Sequence, residues 1–417
     1  MRITLLRLLL LILLAFSFSV KAQLNQKPIL FEWNILKIDS TLNLYISFRI
    51  SNDNLIFIKD KEFYKSGLSI TYDIFDSNDK LINRITDKEE VTLREYSLTN
   101  SRDSYLEGIS NLKIESGKYK VVPTVNLIYA EKDYVLKEFF VEIPSLEKLN
   151  LSKPIVINSN LVDCKEDAGF YALANYEGML PFSPESFSLI IPIQDYDSSI
   201  VSVKVNQNKK NILTKSFYEI KYGNIDIDKC SDKIVIVNNY SNENGFIILE
   251  NLNNIVDEGD FTVSINYGKH DHEFSLTSVW IKKPRNLRVI KEAVLILYNF
   301  FEEKAVDEVF RADSDSLYSA LKNFWKKYDG SSNKTFNKVM SEFYSRVDFA
   351  IDNYSSINKM DGAKSDRGKV YIKYGIPSKS NRVFSNNKVL EIWEYADIDK
   401  KFVFADNSGT GNFVLEK

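Results

Sequence analysis

The chain has 417 residues, with 54 Lys and Arg against 57 Asp and Glu, for a formal net charge of −3. A mildly acidic balance supplies no global field for nucleic acid or for an anionic lipid surface, so neither is expected as a partner. With 27 Phe, 23 Tyr, 15 Gly and 9 Pro, the composition excludes long disordered stretches, and two His residues leave the usual acid–base side chain scarce.

The first residues read as an export signal. Arg2 and Arg7 supply positive charge, residues 5–18 form an almost unbroken apolar run, and Val20-Lys21-Ala22 ends in a small residue before Gln23. The run is shorter than the roughly 18–20 residues a spanning helix needs. The spacing predicts a signal peptide over residues 1–22, cleaved after Ala22, and export to the periplasm or cell surface. No Cys follows the run, which excludes a lipid anchor at that position. Losing Arg2, Arg7 and Lys21 moves the net charge from −3 to −6. No transmembrane segment is expected in the mature chain.

Residues 28–145 read as strands. Leu42, Leu44, Ile46 and Phe48 alternate with Asn43, Tyr45, Ser47 and Arg49, the period of a half-buried strand. Residues 68–75 form another strand, Asp76-Ser77-Asn78-Asp79 a turn, and Leu81-Ile82 a resumption. Residues 119–128 and 134–143 predict a closing hairpin. Residues 146–283 repeat the style, with strands expected at 187–193, 200–205, 234–238, 246–250, 261–267 and 274–281. Ser116-Gly117-Lys118-Tyr119-Lys120-Val121 is echoed by Glu258-Gly259-Asp260-Phe261-Thr262-Val263. Strands at this spacing, without intervening helices, predict two all-β immunoglobulin-like sandwiches.

The pattern changes after Pro284. Residues 287–310 have helical spacing, a second helix is expected from a cap at Ser314 or Asp315 to about Lys327, and a third from about Thr335 to Tyr354. Strands then close the chain at residues 413–415, with 407–411 as the last hairpin turn. The third domain, residues 286–417, is expected to be α+β: helices, then an antiparallel sheet.

The most distinctive segment is Gly362-Ala363-Lys364-Ser365-Asp366-Arg367-Gly368-Lys369-Val370-Tyr371-Ile372-Lys373-Tyr374-Gly375-Ile376-Pro377, read as a polar turn entering a strand and leaving through a Gly-x-Pro turn. It resembles the signature of the GWxTD-domain proteins, an envelope-associated bacterial family of unestablished biochemical function. Gly362, Asp366, Arg367, Gly368, Tyr371, Ile372, Tyr374, Gly375 and Pro377 match, while Ala363 stands where the pattern has Trp and Ser365 where it has Thr. Phe324-Trp325, Asn337, Tyr344, Arg346-Val347 and Ala350 resemble the family's lead-in, and residues 392–395 and 402–406 its closing strands. The resemblance covers roughly residues 315–417.

Candidate chemistry centres on the loop Gly362, Ser365, Asp366, Arg367, Gly368 and Tyr371, with Arg346 and Trp393 in support. An Arg fork there can bind a carboxylate or another anion. The competing reading is structural: an Asp that bonds backbone N–H groups and a Gly that closes a tight turn. His270 and His272 share one strand face but lack a third ligand, and read as surface histidines. Asp76–Asp79 and Asp313–Ser316 read as a turn and a helix cap rather than calcium loops. Lys282-Lys283-Pro284-Arg285, with Arg288, reads as a solvated linker, and Phe324, Trp325, Phe343, Tyr344, Phe349 and Tyr354 as core. Cys164 and Cys230 fall in one expected module and invite a disulfide in an oxidising compartment, two buried thiols being the other reading.

No Ser/His/Asp arrangement, phosphate loop or zinc-protease helix is visible, and no metal or cofactor is expected. The sequence therefore points to a non-enzymatic envelope interaction or scaffold protein that contacts an envelope protein or surface polymer. The alternative is a ligand-binding or hydrolytic domain acting on peptide or glycan at the Ser365–Gly368 loop. A glycan-binding role for the sandwiches would need exposed aromatic platforms on one sheet face.

Overall fold

The computed structural model describes residues 29–416, except 39–40, 103, 131–132, 146–151, 165–166, 175–177, 195–199, 240–243, 331–333, 357–360 and 386–387. The expected signal peptide lies outside them. Strands dominate up to Val279, and the described α-helices, five of them, all follow.

The first part of the chain forms two sheets. One has the order β1 (Ile29–Ile38), β2 (Thr41–Ser51) and β6 (Tyr105–Lys113). The other is built on β4 (Phe63–Phe75) and β7 (Gly117–Leu127), to which β3 (Ile58–Asp60), β5 (Leu81–Leu93), β8 (Asp133–Val135) and β9 (Phe139–Ile143) add. The expected closing hairpin is interrupted: β8 and β9 both pair with β7, and Leu136 spans the break by donating to the Pro123 carbonyl at 2.9 Å. The alternation in β2 sets the packing. Leu42, Leu44, Ile46, Phe48 and Ile50 face the core shared with β4 and β7, while Tyr45 points the other way with Leu36.

The next part forms a seven-stranded and a five-stranded sheet. In the first, the order is β16 (Lys221–Tyr222), β19 (Gly245–Leu249), β13 (Phe187–Ile193), β10 (Ile155–Cys164), β11 (Asp167–Leu173), β18 (Lys233–Asn239) and β17 (Asn224–Cys230). In the second, it is β12 (Met179–Pro181), β21 (His270–Val279), β20 (Gly259–Tyr267), β14 (Val201–Gln207) and β15 (Lys210–Phe217). Every residue of β13 and β19 is buried, because both faces of the seven-stranded sheet are covered. Leu189, Ile191, Ile247 and Leu249 face the five-stranded sheet, whereas Ile155, Ile157, Ile190 and Ile248 share a core with Leu36 and Tyr45 of the first part. The result is a four-layer stack. Polar ties cross its middle: Tyr45 Oη donates to Asp226 Oδ1 at 2.6 Å, Ile234 N–H to Glu107 at 3.2 Å, and Lys153 Nζ to the buried Glu32 at 2.5 Å. The Tyr45 hydroxyl is held protonated well above its ordinary range, by burial first and then by Asp226.

The helical part packs on the end of this stack. Helical spacing over 287–310 resolves into α1 (Ile290–Leu297) and α2 (Glu303–Phe310). The chain turns between them because Phe300 and Phe301 fold back onto the aromatic core of the next helices, with Phe301 and Trp325 centroids 5.5 Å apart. α3 (Leu317–Lys326) and α4 (Lys338–Tyr354) follow, close to expectation. Asn337 caps α4 by accepting from Met340 N–H at 2.7 Å. Asp313 accepts from Ser316 N–H at 2.9 Å ahead of α3, and Asp76 accepts from Asn78 and Lys80 N–H, so both Asp-rich runs are turns and caps.

The basic run after Ile281 is exposed at Lys282, Arg285 and Arg288, and two of its cations also make ion pairs. Lys283 Nζ lies 2.9 Å from Glu258, and Arg285 Nη2 lies 2.6 Å from Asp352, so these cations tie α4 to the strands before it. Phe182, Trp280 and Phe336 form an edge-to-face triad at the same junction, and Thr335 Oγ1 donates to the Asn253 and Val256 carbonyls at 3.1 and 2.8 Å.

The last helix, α5 (Asp366–Tyr374), packs on a four-stranded antiparallel sheet, in order β22 (Lys379–Ser385), β23 (Lys388–Tyr395), β24 (Lys400–Asp406) and β25 (Val414–Leu415). No described helix is long and apolar enough to cross a membrane.

Candidate functional site

The signature segment enters a helix, not a strand. Val370, Tyr371, Ile372 and Tyr374 have strand-favouring side chains, but the ends of the segment decide the outcome. Ser365 takes an extended conformation and its hydroxyl accepts from Gly368 N–H at 3.0 Å, which caps α5. Gly375 stops the helix at φ 81°, and Pro377 follows. These Ser, Gly and Pro signals were present in the sequence and outweigh local β propensity.

Two glycines let three backbone segments cross. A Cβ on Gly362 would lie 2.1 Å from the Ala350 carbonyl oxygen of α4, and one on Gly368 would lie 1.9 Å from the Gly362 carbonyl oxygen. Asp361 accepts from Ala363 N–H at 3.1 Å and opens the short 3-10 turn Gly362–Lys364. Ala363 is fully buried in one core with Trp325, Met340 and Ile372. The position that carries Trp in the resembled pattern is therefore an interior one here.

Arg367 is the centre of the buried polar network. Its Nη1 donates to Glu391 Oε2 at 3.2 Å with both side chains 7% exposed, and Nη2 donates to the Gly411 carbonyl at 3.3 Å. The guanidinium lies over the rings of Phe413 at 4.1 Å and Tyr354 at 5.2 Å. Glu391 also accepts from Arg382 Nε at 2.9 Å and from Trp393 Nε1 at 2.8 Å. Burial lowers the Arg367 pKa and Glu391 opposes it. Asp366 accepts from Leu415 N–H at 2.9 Å and holds β25 to α5. Tyr371 is buried and stacks on Phe349 with centroids 4.6 Å apart.

The structure thus brings Arg367, Glu391 and Trp393 together, and gives Ser365, Asp366 and Gly368 structural partners beside them. Arg346 acts on the Tyr371 hydroxyl through its charge, but bonds to other groups. Its Nε donates to Glu342 at 2.7 Å and its Nη1 to the Ile372 carbonyl at 3.4 Å, on the other side of α5. There it helps line a cleft of about 710 Å³ with Phe300, Trp325, Phe343, Lys369 and Lys373. Sequence reading missed this cleft. The signal that could have found it is the i, i+3, i+4 spacing of Lys369, Ile372 and Lys373, which shares a helical face only once α5 is read as a helix.

His270 and His272 lie on one face of β21 with centroids 6.4 Å apart, and burial, then the neighbouring His270, lowers the His272 pKa. Among the described residues, no group of three or more His, Cys, Asp and Glu is placed to hold a metal. Cys230 is disulfide-bonded, and the side chain of Cys164, the other cysteine of the sequence, lies outside the described residues.

Sheets through most of the chain, followed by a helical layer closed by a sheet around a buried Arg–Glu pair, define a β-rich protein with a C-terminal α+β domain. Residues 277–416 match the family model described as the GWxTD domain, so the match takes in α1 and α2 as well as the signature. No curated protein matches the chain.

Proposed function

We propose that this chain is an exported envelope protein that works by binding rather than by catalysis, with its GWxTD domain docked on two immunoglobulin-like modules, residues 28–145 and 146–283. A signal peptide cleaved after Ala22, delivery to the periplasm or cell surface, and a Cys164–Cys230 bond belong to the same reading. The observation that carries it is the fate of the signature. Ser365, Arg367 and Gly368 are buried, and Asp366 and Arg367 are spent on backbone and side-chain partners within the domain. A hydrolytic centre needs an acid or base facing substrate, whereas these groups face the sheet.

The test has two arms. Cross-linking a tagged copy in intact cells is expected to capture one discrete envelope protein or surface polymer. Incubating the purified chain with envelope peptides and glycans is expected to release no product. Product formation that disappears in a folded Asp366→Asn variant would return the function to the signature loop.

A further inference from the structure

The helix that carries the signature has a second face. Arg367, Val370, Tyr371 and Tyr374 turn toward the closing sheet, while Lys369, Ile372 and Lys373 turn toward α3 and α4 and line the cleft. Its floor is aromatic: Phe300 and Phe343 centroids are 5.3 Å apart, and Trp325 and Phe343 4.9 Å apart. Four cations reach it, Lys338, Arg346, Lys369 and Lys373. Among the described residues that line it, the one acid is Glu342, and it is paired with Arg346. The three lysines are exposed. This concentration of positive charge stands out in a chain of net charge −3, and a cleft of about 710 Å³ lies within the roughly 300–1,000 Å³ range of small-molecule sites.

We infer that this cleft binds a small anionic amphiphile, its apolar body seated on Phe300, Trp325 and Phe343 and its acidic head held by Lys369, Lys373 and Arg346. Water leaves the aromatic floor on binding, which supplies affinity. The cations select charge, because an uncharged or cationic head gains nothing from the rim. The inference does not rest on the interaction reading above, since a protein partner elsewhere leaves the cleft free.

The test uses the full mature chain and two fluorescent probes of the same body, 8-anilinonaphthalene-1-sulfonate and its uncharged counterpart N-phenyl-1-naphthylamine. The sulfonate is expected to bind at least tenfold more tightly, and decanoate is expected to displace it. A Lys369→Glu/Lys373→Glu double variant, with native circular dichroism, is expected to weaken the sulfonate at least tenfold and the uncharged probe less than twofold. Val339→Glu, an exposed change in the cleft wall, is expected to weaken both. Equal affinity for the two probes, or a double variant that leaves the sulfonate unchanged, would overturn the assignment. Capture of an envelope partner by cross-linking in the same variant would show that the interaction reading stands independently.

Discussion

The Arg367 guanidinium and the Glu391 carboxylate meet at 3.2 Å, each side chain 7% exposed, with aromatic rings on the guanidinium faces. A buried pair is costly to split, because the abandoned charge keeps no solvent. Glu391→Ala strands Arg367 and removes the acceptor of Trp393 and Arg382, so it is expected to destabilise the C-terminal domain by about 3–5 kcal/mol. Urea unfolding followed by limited proteolysis of this domain measures the effect. A loss under about 1 kcal/mol would mean that the pair is hydrated.

Gly368→Ala places a methyl 1.9 Å from the Gly362 carbonyl oxygen. Backbone has to move, and a loss on the order of 3 kcal/mol is expected. Gly330→Ala is the control: nothing lies within 4 Å of its added Cβ, and its stability, read from the thermal midpoint, should stay within about 0.5 kcal/mol of the parent. Similar midpoints for the two variants would refute the crossing.

Ser365 tests the cap. Ser365→Ala removes the acceptor of Gly368 N–H and is expected to cost about 1 kcal/mol, while Ser365→Thr, which restores the residue of the resembled pattern, is expected to be nearly neutral. Hydrogen exchange at the first amides of α5 reads the cap directly. By the same reasoning, Ala363→Trp overfills a closed interior and is expected to destabilise by about 1–3 kcal/mol.

Tyr395 makes a pH prediction. Its hydroxyl donates to the Gly375 carbonyl at 2.9 Å, and burial pushes its pKa up to about 12 from the ordinary 10.0. A raised folded-state pKa contributes stability that is fully present below pH 10 and lost as pH climbs through about 12. Tyr395→Phe is expected to flatten this part of the alkaline unfolding curve and to cost about 1 kcal/mol at neutral pH. An unchanged alkaline curve would show that the phenol ionises freely in the fold.

The sequence was most legible where one physical signal acted alone. The alternation of Leu42, Leu44, Ile46 and Phe48 placed β2, and the apolar face of residues 335–354 placed α4. It was least legible where tertiary packing overrode local pattern. The run 287–310 looks continuous because its apolar spacing persists through the turn that Phe300 and Phe301 impose. The segment Val370–Tyr374 looks like a strand because its side chains favour one, and only the ends say otherwise. The candidate residues were named as one loop with its supports, but the burial of Ser365, Arg367 and Gly368 was not visible. A long-range partner such as Glu391 carries no local mark of its role.

The seven-stranded sheet has a consequence for how this protein can be divided. Because Ile155, Ile157, Ile190 and Ile248 meet Leu36 and Tyr45 across a shared core, the stretch that folds as a unit is longer than the stretch that repeats. A fragment cut ahead of β10 would carry a greasy, unpaired flank into solution and would clump. Any dissection of this chain into expressible pieces therefore has to keep the first four sheets together, whatever boundary a repeat in the sequence suggests.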